Sequence, residues 1–333
     1  MQLSNEYRPI FLVGMNGSGT TLLLDCLDNH PQIYGFKRET KVIPYFISRL
    51  EKYGDLKRDE NFLALWNDFR ITHDFVVINK GVAPPLPENW KSLPRTLATV
   101  INGVFQYFAS QEGKYRWCEK TPMHALHISA LSNVFPDARF IHIIRDGRAC
   151  AASFHRRWGY SPELTMYRWK NVVNAARSQG KEIPGKYLEI TYEDLVSAPD
   201  KIMYDVCKFL SIDFHENVLY PSRTRQVTTG STIKEIVKKK EIWPDYFSKN
   251  MISRLETIAG SSLHQLGYKT GKPGSDYNPP QILRVTWLYY DYIRLTLKEI
   301  SQALNSRKSV KEVFTAVHTK ISRALKQRRT TKY

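Results

Sequence analysis

One stretch near the amino terminus constrains the fold more than any other. Ile10 to Val13 is an unbroken apolar run, Gly14 to Thr21 reads GMNGSGTT, and Leu22, Leu23, Cys26 and Leu27 follow at helical spacing. A short apolar run reads as a buried strand, a glycine cluster as a turn, and the recurrence after it as one face of a helix. A loop between strand and helix is where backbone N–H groups and the helix N-terminus surround an anion. The spacing is that of a Walker phosphate loop, but Thr20 stands at the place of the Walker lysine and Thr21 at the hydroxyl position. That lysine reaches the β- and γ-phosphates of a nucleoside triphosphate. Its loss argues against a nucleotide kinase and fits a donor with a single 5′-phosphate.

The strand-then-helix pattern returns at Phe140 to Ile144 and at Tyr187 to Ile190, the latter followed by Ile202, Val206 and Phe209 at helical spacing. Strands alternating with helices predict an α/β fold, a P-loop-type mainly parallel sheet flanked by helices. Tyr45 to Arg116 is rich in aromatics and irregular, and is expected to form helices and loops over the sheet without a chemical motif of its own. Beyond the turn-rich Gly271 to Pro280 come two amphipathic patterns, one on Ile282, Tyr289, Ile293, Leu297, Ile300 and Leu304, the other from Val310 to Leu325. The expected organisation is a domain over residues 1–270 and a basic amphipathic helical extension over 271–333.

With 333 residues, 42% of them hydrophobic and 24% charged, the chain can bury the core such a domain needs and is not a disordered polymer. Its formal charge of +17 calls for an anionic partner, a phosphorylated nucleotide, an acidic substrate, nucleic acid or an anionic membrane, and charge alone does not choose among them; with the phosphate loop beside it, no nucleic acid is expected. Residues 281–333 hold twelve Lys/Arg against three Asp/Glu. This extension is expected either to touch an anionic membrane peripherally or to pack on the domain with its basic face in solvent. Arg284, Asp291 and Arg294 rule against a spanning helix. Cys26, Cys118, Cys150 and Cys207 form no CxxC pair, so neither a structural zinc nor a disulfide scaffold is expected, and a reducing cytoplasm is the simplest home. The first apolar run is too short for a signal-peptide core or a membrane span.

A second candidate anion site lies in FIHIIRDGRACAAS, Phe140 to Ser153, where an apolar strand runs into Arg145 and Arg148. The planar donor fork of Arg145 and the hydroxyl of Ser153 can both face one phosphate. The competing reading of this turn is a surface pair of Asp146 and Arg148.

Taken together, these segments resemble the PAPS-dependent sulfotransferase superfamily (PAPS is 3′-phosphoadenosine 5′-phosphosulfate). Its 5′-phosphosulfate loop commonly reads PRSGTT or PKSGTT and is similar to Asn16, Gly17, Ser18, Gly19, Thr20 and Thr21 here, with Gly17 in place of the basic residue. In the superfamily an Arg and a Ser eight residues apart hold the 3′-phosphate, which implies that role for Arg145 and Ser153. The resemblance spans roughly Arg8 to Tyr268 and is closest to the branch with tyrosylprotein sulfotransferases and related bacterial enzymes. HP at His30 and Pro31 is followed by ETKVIP, Glu39 to Pro44, similar to the segment that carries a catalytic Glu, although Glu39 falls one residue late counted from the loop. EKTP, Glu119 to Pro122, resembles the segment of a catalytic Lys and places Lys120; TYEDL, from Thr191, places Tyr192 near an adenine. Lys238 to Lys240, before Trp243, resembles a loop that closes over the 3′-phosphate.

The resemblance implies transfer of a sulfuryl group from PAPS to a hydroxyl or phenol, leaving a sulfate ester and PAP, with no metal. Glu39 suits the base and Lys120 the leaving oxygen, with loop N–H groups in support. His124 and His127 are alternative bases. Gly17 removes a charge from the loop, and Lys37 or, more so, Arg38 is expected to replace part of it. Small molecules, carbohydrates and peptide tyrosine all stay open as acceptors, because acceptor choice lives in loops. The competing function is a non-catalytic PAP- or PAPS-binding or membrane-peripheral protein that has lost the basic residue.

Overall fold

The computed structural model describes residues 8–221, 225–226, 232–233, 236 and 242–305. The basic run Lys238 to Lys240 and the second tail pattern, Val310 to Leu325, lie outside the described residues. The described chain parts into two compact units, one within Met1–Cys150 and Arg168–Glu241, the other within Ala151–Tyr167 and Ile242–Tyr333.

In the first unit β1 (Ile10–Val13), β2 (Ile33–Gly35), β3 (Arg116–Lys120), β4 (Arg139–Ile144) and β5 (Tyr187–Thr191) form an all-parallel sheet of order β2-β3-β1-β4-β5. The chain leaves β1 through α1 (Thr20–Asp28), and between β2 and β3 it forms α2 (Ile43–Ile47), α3 (Asp59–Arg70), α4 (His73–Ile78) and α5 (Leu97–Gln111). Then follow α6 (Ile128–Val134), α7 (Gly147–Trp158), α8 (Pro162–Lys181), α9 (Tyr192–Ser197) and α10 (Pro199–Leu210). The second unit adds α11 (Trp243–Tyr246), α12 (Lys249–Gln265) and α13 (Gln281–Asn305). The expected α/β architecture is present, with two strands, β2 and β3, that the sequence patterns do not announce.

Both faces of the sheet are covered, as a parallel sheet requires. On one face Ile10, Leu12, Ile141 and Ile143 pack with Leu23 and Leu27 of α1 and Val206 and Leu210 of α10. On the other, Phe11 stacks on Phe140 at 5.3 Å between ring centroids and meets Trp117 edge-on at 5.5 Å. Trp117 in turn stacks on Phe105 of α5 at 4.4 Å, and Phe36, Phe69 and Phe75 continue the cluster. The aromatic-rich stretch is thus the cover of this face, and each fully buried Phe contributes roughly 1.5–3 kcal/mol.

β3 reads RWCEK and is buried throughout. Arg116 is tolerated there because its guanidinium donates to the carbonyls of Arg8 and Leu210, at 2.7 and 2.6 Å. Burial lowers its pKa to about 10, which leaves it charged at neutral pH. Trp117 Nε1 donates to Asn102 Oδ1 at 2.8 Å, fixing α5 on the strand.

The edge strand β2 is held through Asp28, the last residue of α1. Its Oδ1 accepts from the Gly35 backbone N–H at 2.8 Å and its Oδ2 from Lys37 Nζ at 2.5 Å, with Lys114 beside it. Burial pushes the Asp28 carboxyl up, but the bonds from Lys37 and Gly35 and the two ammonium charges outweigh it and hold its pKa below the ordinary value. Its contribution is therefore complete above the unfolded pKa and is lost as pH falls through the folded one. Asp28→Asn should cost on the order of 3 kcal/mol near neutral pH. Thermal unfolding of both proteins across the acid range should show their difference narrowing as the pH drops.

Candidate active site

Parallel strands end at one edge, and the register shows what they deliver there. Leu12 is level with Lys120, Val13 with His142, and Ile144 with Thr191. The glycine loop, Lys120, Arg145 and Tyr192 therefore leave the sheet at the same carboxyl edge, where open α/β sheets bind ligands. β2 ends at the same side, four residues before Glu39.

The Gly14 N–H donates to the Pro122 carbonyl at 3.1 Å, tying the loop to the residue two beyond Lys120. Gly19 caps α1 at φ 110°, and a Cβ there would lie 2.7 Å from the Tyr192 ring. Only glycine permits that approach. Gly17 has φ 89°, in the left-handed region. A basic side chain at that position in this backbone would be strained. The Ser18 hydroxyl is buried and has no hydrogen-bond partner among the described residues.

Arg145 follows β4 directly. Its Nη1 donates to the Gly17 carbonyl at 3.3 Å, its guanidinium lies 4.2 Å from the centre of the Tyr192 ring, and its Nε is buried without a partner among the described residues. Tyr192 opens α9, whose N-cap Thr191 accepts from the Asp194 N–H at 3.0 Å. TYEDL is thus a capped helix start that also sets a ring against the loop. Ser153 is buried on α7, past the point where that helix enters the second unit. Asp146 and Arg148, a surface pair in the competing reading of this turn, are buried and paired at 2.7 Å.

The expectation for Lys37 and Arg38 fails. Lys37 is engaged by Asp28, at the far end of α1 from the loop, a distance of about 12 Å at helical rise. Arg38 Nε pairs with Asp74 of α4 at 2.7 Å. Carboxylates have claimed both cations, and the cation in contact with Gly17 comes from β4.

Glu39 and Lys120, 81 positions apart, meet with Oε1 and Nζ 3.0 Å from each other. Lys41 lies 3.4 Å from the other Glu39 oxygen. Beneath this pair sits a carboxylate the motifs did not single out. Glu119 has no solvent exposure. Its Oε1 accepts from the Thr40 N–H at 3.2 Å, the Thr40 hydroxyl at 2.9 Å and the Thr121 hydroxyl at 2.5 Å. His124 Nδ1 lies 3.0 Å from its Oε2. Burial raises its pKa, but the His124 charge and these bonds prevail and keep it below the ordinary value. Since Thr40 adjoins Glu39, and Glu119 adjoins Lys120, the cluster fixes both members of the pair. The signal for it was a carboxylate inside a strand with no room for solvent.

His124, weighed from sequence as a base, is buried against Glu119 and Phe11, whose ring centroid is 6.1 Å away. His127 is exposed at the start of α6. Three residues past Glu39 a cavity of about 410 Å³ opens among Val42, Tyr45, Phe46, Tyr53, Asp68, Ile71 and Thr72. The Tyr53 phenol donates to Asp68 Oδ2 at 2.8 Å on its wall. Among the described residues no group of His, Cys, Asp and Glu is placed to hold a metal.

Residues 9–216 match the family model described as the sulfotransferase family. The chain belongs to that family. It is a PAPS-dependent enzyme of sulfuryl transfer to a hydroxyl acceptor. Among curated proteins it is 29% identical over 241 residues to protein-tyrosine sulfotransferase 1 of Danio rerio, covering 70% of this chain and 61% of that one. Protein-tyrosine sulfotransferase A of Caenorhabditis elegans is 24% identical over 292 residues, 82% of this chain and 70% of that one. Among solved structures, the sulfotransferase domain of the curacin biosynthetic pathway superposes with TM-score 0.53 at 19% identity, covering 80% of this sulfotransferase and 99% of that domain. The sulfotransferase domain of the Synechococcus PCC 7002 olefin synthase gives 0.50 at 23% identity, covering 78% and 98%. These two show the fold.

If Glu119 positions the Glu39–Lys120 pair, Glu119→Gln should lower kcat by about 10²-fold, the scale of a 1 Å misplacement, with PAP affinity unchanged. Steady-state kinetics beside PAP calorimetry separates the two; wild-type kcat in the variant would remove Glu119 from any positioning role.

Proposed function

We propose that this sulfotransferase transfers the sulfuryl group of PAPS to a phenolic hydroxyl, with peptide tyrosine as the acceptor. The observation that carries the reading is the Glu39–Lys120 pair, 3.0 Å apart at the sheet edge that bears the glycine loop. PAPS supplies an activated sulfuryl group on a phosphate leaving group. The residues present fit it: the Ser18 hydroxyl and Arg145 Nε are buried and lack partners among the described residues. We assign Asn16, Gly17, Ser18, Gly19, Thr20 and Thr21 to the 5′-phosphosulfate, where backbone N–H groups and hydroxyls meet the N-terminus of α1. Arg145 and Ser153 are assigned to the 3′-phosphate and Tyr192 to the adenine.

Glu39 takes the acceptor proton as the acceptor oxygen bonds to sulfur and the bond from sulfur to the phosphate oxygen breaks. Lys120 faces the charge that develops on that leaving oxygen. Their contact with each other holds both side chains in place before either is needed. The positive charge required at the leaving oxygen is then supplied by the chain itself, from Lys120.

Two observations support a phenol. The relatives carry protein-tyrosine sulfotransferase names, and the cavity that begins at Val42 is walled by Tyr45, Phe46 and Tyr53, a lining that suits an aromatic ring. All four cysteines are buried and unbridged, which suits a reducing, cytoplasmic setting. No helix among the described residues is long and apolar enough to cross a membrane.

Labelled PAPS offered with tyrosine peptides, a carbohydrate and small alcohols tests the acceptor: label on the peptide supports the reading, and label on another class alone overturns it. Glu39→Gln should reduce kcat by about 10²- to 10⁴-fold at unchanged PAP affinity. Arg145→Ala should weaken PAP by about 1.5–3 kcal/mol and AMP far less. Equal losses for the two nucleotides in calorimetry would detach Arg145 from the 3′-phosphate.

A further inference from the structure

The second unit carries a helix packed the opposite way from a surface helix of a water-soluble domain. α13 runs from Gln281 to Asn305. The charged residues of its first seventeen positions, Arg284, Asp291 and Arg294, are turned toward the rest of the unit. Asp291 is 3% exposed, and its Oδ1 accepts from the Ser161 N–H at 2.8 Å and the Ser161 hydroxyl at 2.5 Å. Arg284 donates to the Tyr167 phenol, with its guanidinium 5.0 Å from that ring's centre. Arg294 lies against Gly159.

The outward face is mostly apolar. Ile282, Tyr290, Ile293 and Leu297 are 70, 61, 55 and 60% exposed. At 3.6 residues per turn these four fall within a sector of about 80° that also holds the exposed Thr286; Arg284 and Asp291 lie on the other side of the helix, and Arg294 borders the sector, its guanidinium 5.9 Å from the centre of the Tyr290 ring. An exposed and mostly apolar face of this kind marks an interaction surface.

Charge selects the partner. From Lys298 to Tyr333 the sequence holds ten Lys/Arg against two Asp/Glu, on a chain of formal charge +17. A second copy would bring an identical basic segment against this one, and like charges oppose that union. An anionic bilayer accepts both features: acyl chains and headgroup boundary take the apolar and tyrosine side chains, and anionic headgroups take the Lys/Arg. Crossing the bilayer is excluded for α13, which is not apolar enough to span. We propose that the outward face of α13 docks the enzyme on the surface of an anionic lipid bilayer.

The test uses the full chain and vesicles of phosphatidylcholine alone or mixed with phosphatidylserine. Wild type should co-sediment with the mixed vesicles and not with phosphatidylcholine, and added salt should weaken the binding. Ile293→Ser with Leu297→Ser, at an unchanged melting temperature, should bind about tenfold more weakly, a loss of ~1.4 kcal/mol. Hydrogen exchange on the wild type gives a measure independent of the variant: amides of 281–297 should slow with mixed vesicles only. No sedimentation with mixed vesicles, binding untouched by the variant, or unchanged exchange over α13 would each overturn the proposal. A dimer by light scattering that the variant dissociates, without vesicle binding, would instead assign the face to a second copy.

Discussion

A carboxylate with no access to water is the constraint on which the active edge depends. Burying an ionised side chain is unfavourable by several kcal/mol unless its oxygens are satisfied and a counter-charge is near. Glu119 receives the Thr40 N–H and two threonine hydroxyls at Oε1, and His124 Nδ1 lies 3.0 Å from its Oε2. Each of those partners belongs to a segment that carries something else: Thr40 follows Glu39, and Thr121 and His124 follow Lys120. Moving either segment would leave a buried donor or acceptor unmade, so the positions of the two reactive side chains are set by groups that never see solvent. The Gly14 to Pro122 bond extends the same rigidity to the phosphate loop.

The loop shows how proximity along the chain and proximity in space part company. Lys37 and Arg38 adjoin Glu39, which made them natural candidates to restore the charge absent at Gly17. A cation on a flexible stem, however, goes to a carboxylate within reach, and the buried Asp28 and the partly exposed Asp74 stand there. Arg145 lies more than a hundred residues away, yet the β1–β4 pairing brings the end of its strand beside the loop. The left-handed backbone at Gly17 and the guanidinium at its carbonyl belong together: the loop turns where a side chain would be strained, and a neighbouring strand brings a cation to that carbonyl.

What the sequence announced, it announced through local pattern. β1, β4 and β5 are apolar runs before a turn, and the anion loops and the EKTP and TYEDL segments have fixed internal spacing. β2, three residues long, is too short for periodicity to register, and β3 is masked by Arg116, Glu119 and Lys120, whose charges are satisfied wholly or in part by partners far along the chain. The role of Glu119 was illegible for the same reason, since Thr40 lies 79 positions before it. For α13 the period was legible and the direction was not. An apolar stripe is ordinarily the buried one, but a single carboxylate can reverse that when a backbone N–H and a hydroxyl, here those of Ser161, receive it.

This reversal changes what the net charge means. A formal +17 invites the inference of a strongly basic nucleotide site. Around the candidate site, however, the cations are largely answered: Lys120 and Lys41 by Glu39, Lys37 by Asp28, Arg38 by Asp74 and Arg148 by Asp146. Donor recognition there rests on a few fixed groups, namely loop N–H donors, hydroxyls and Arg145, and fixed donors in a partly dry site act more strongly than mobile surface charge. Residues 281–333, with twelve Lys/Arg against three Asp/Glu, supply more than half of the excess. Surface charge of that kind works over a Debye length and is graded by salt. More than half of the positive charge that composition reports is therefore carried by residues 281–333, a segment suited to an extended anionic surface, while the candidate site handles its small anion by geometry.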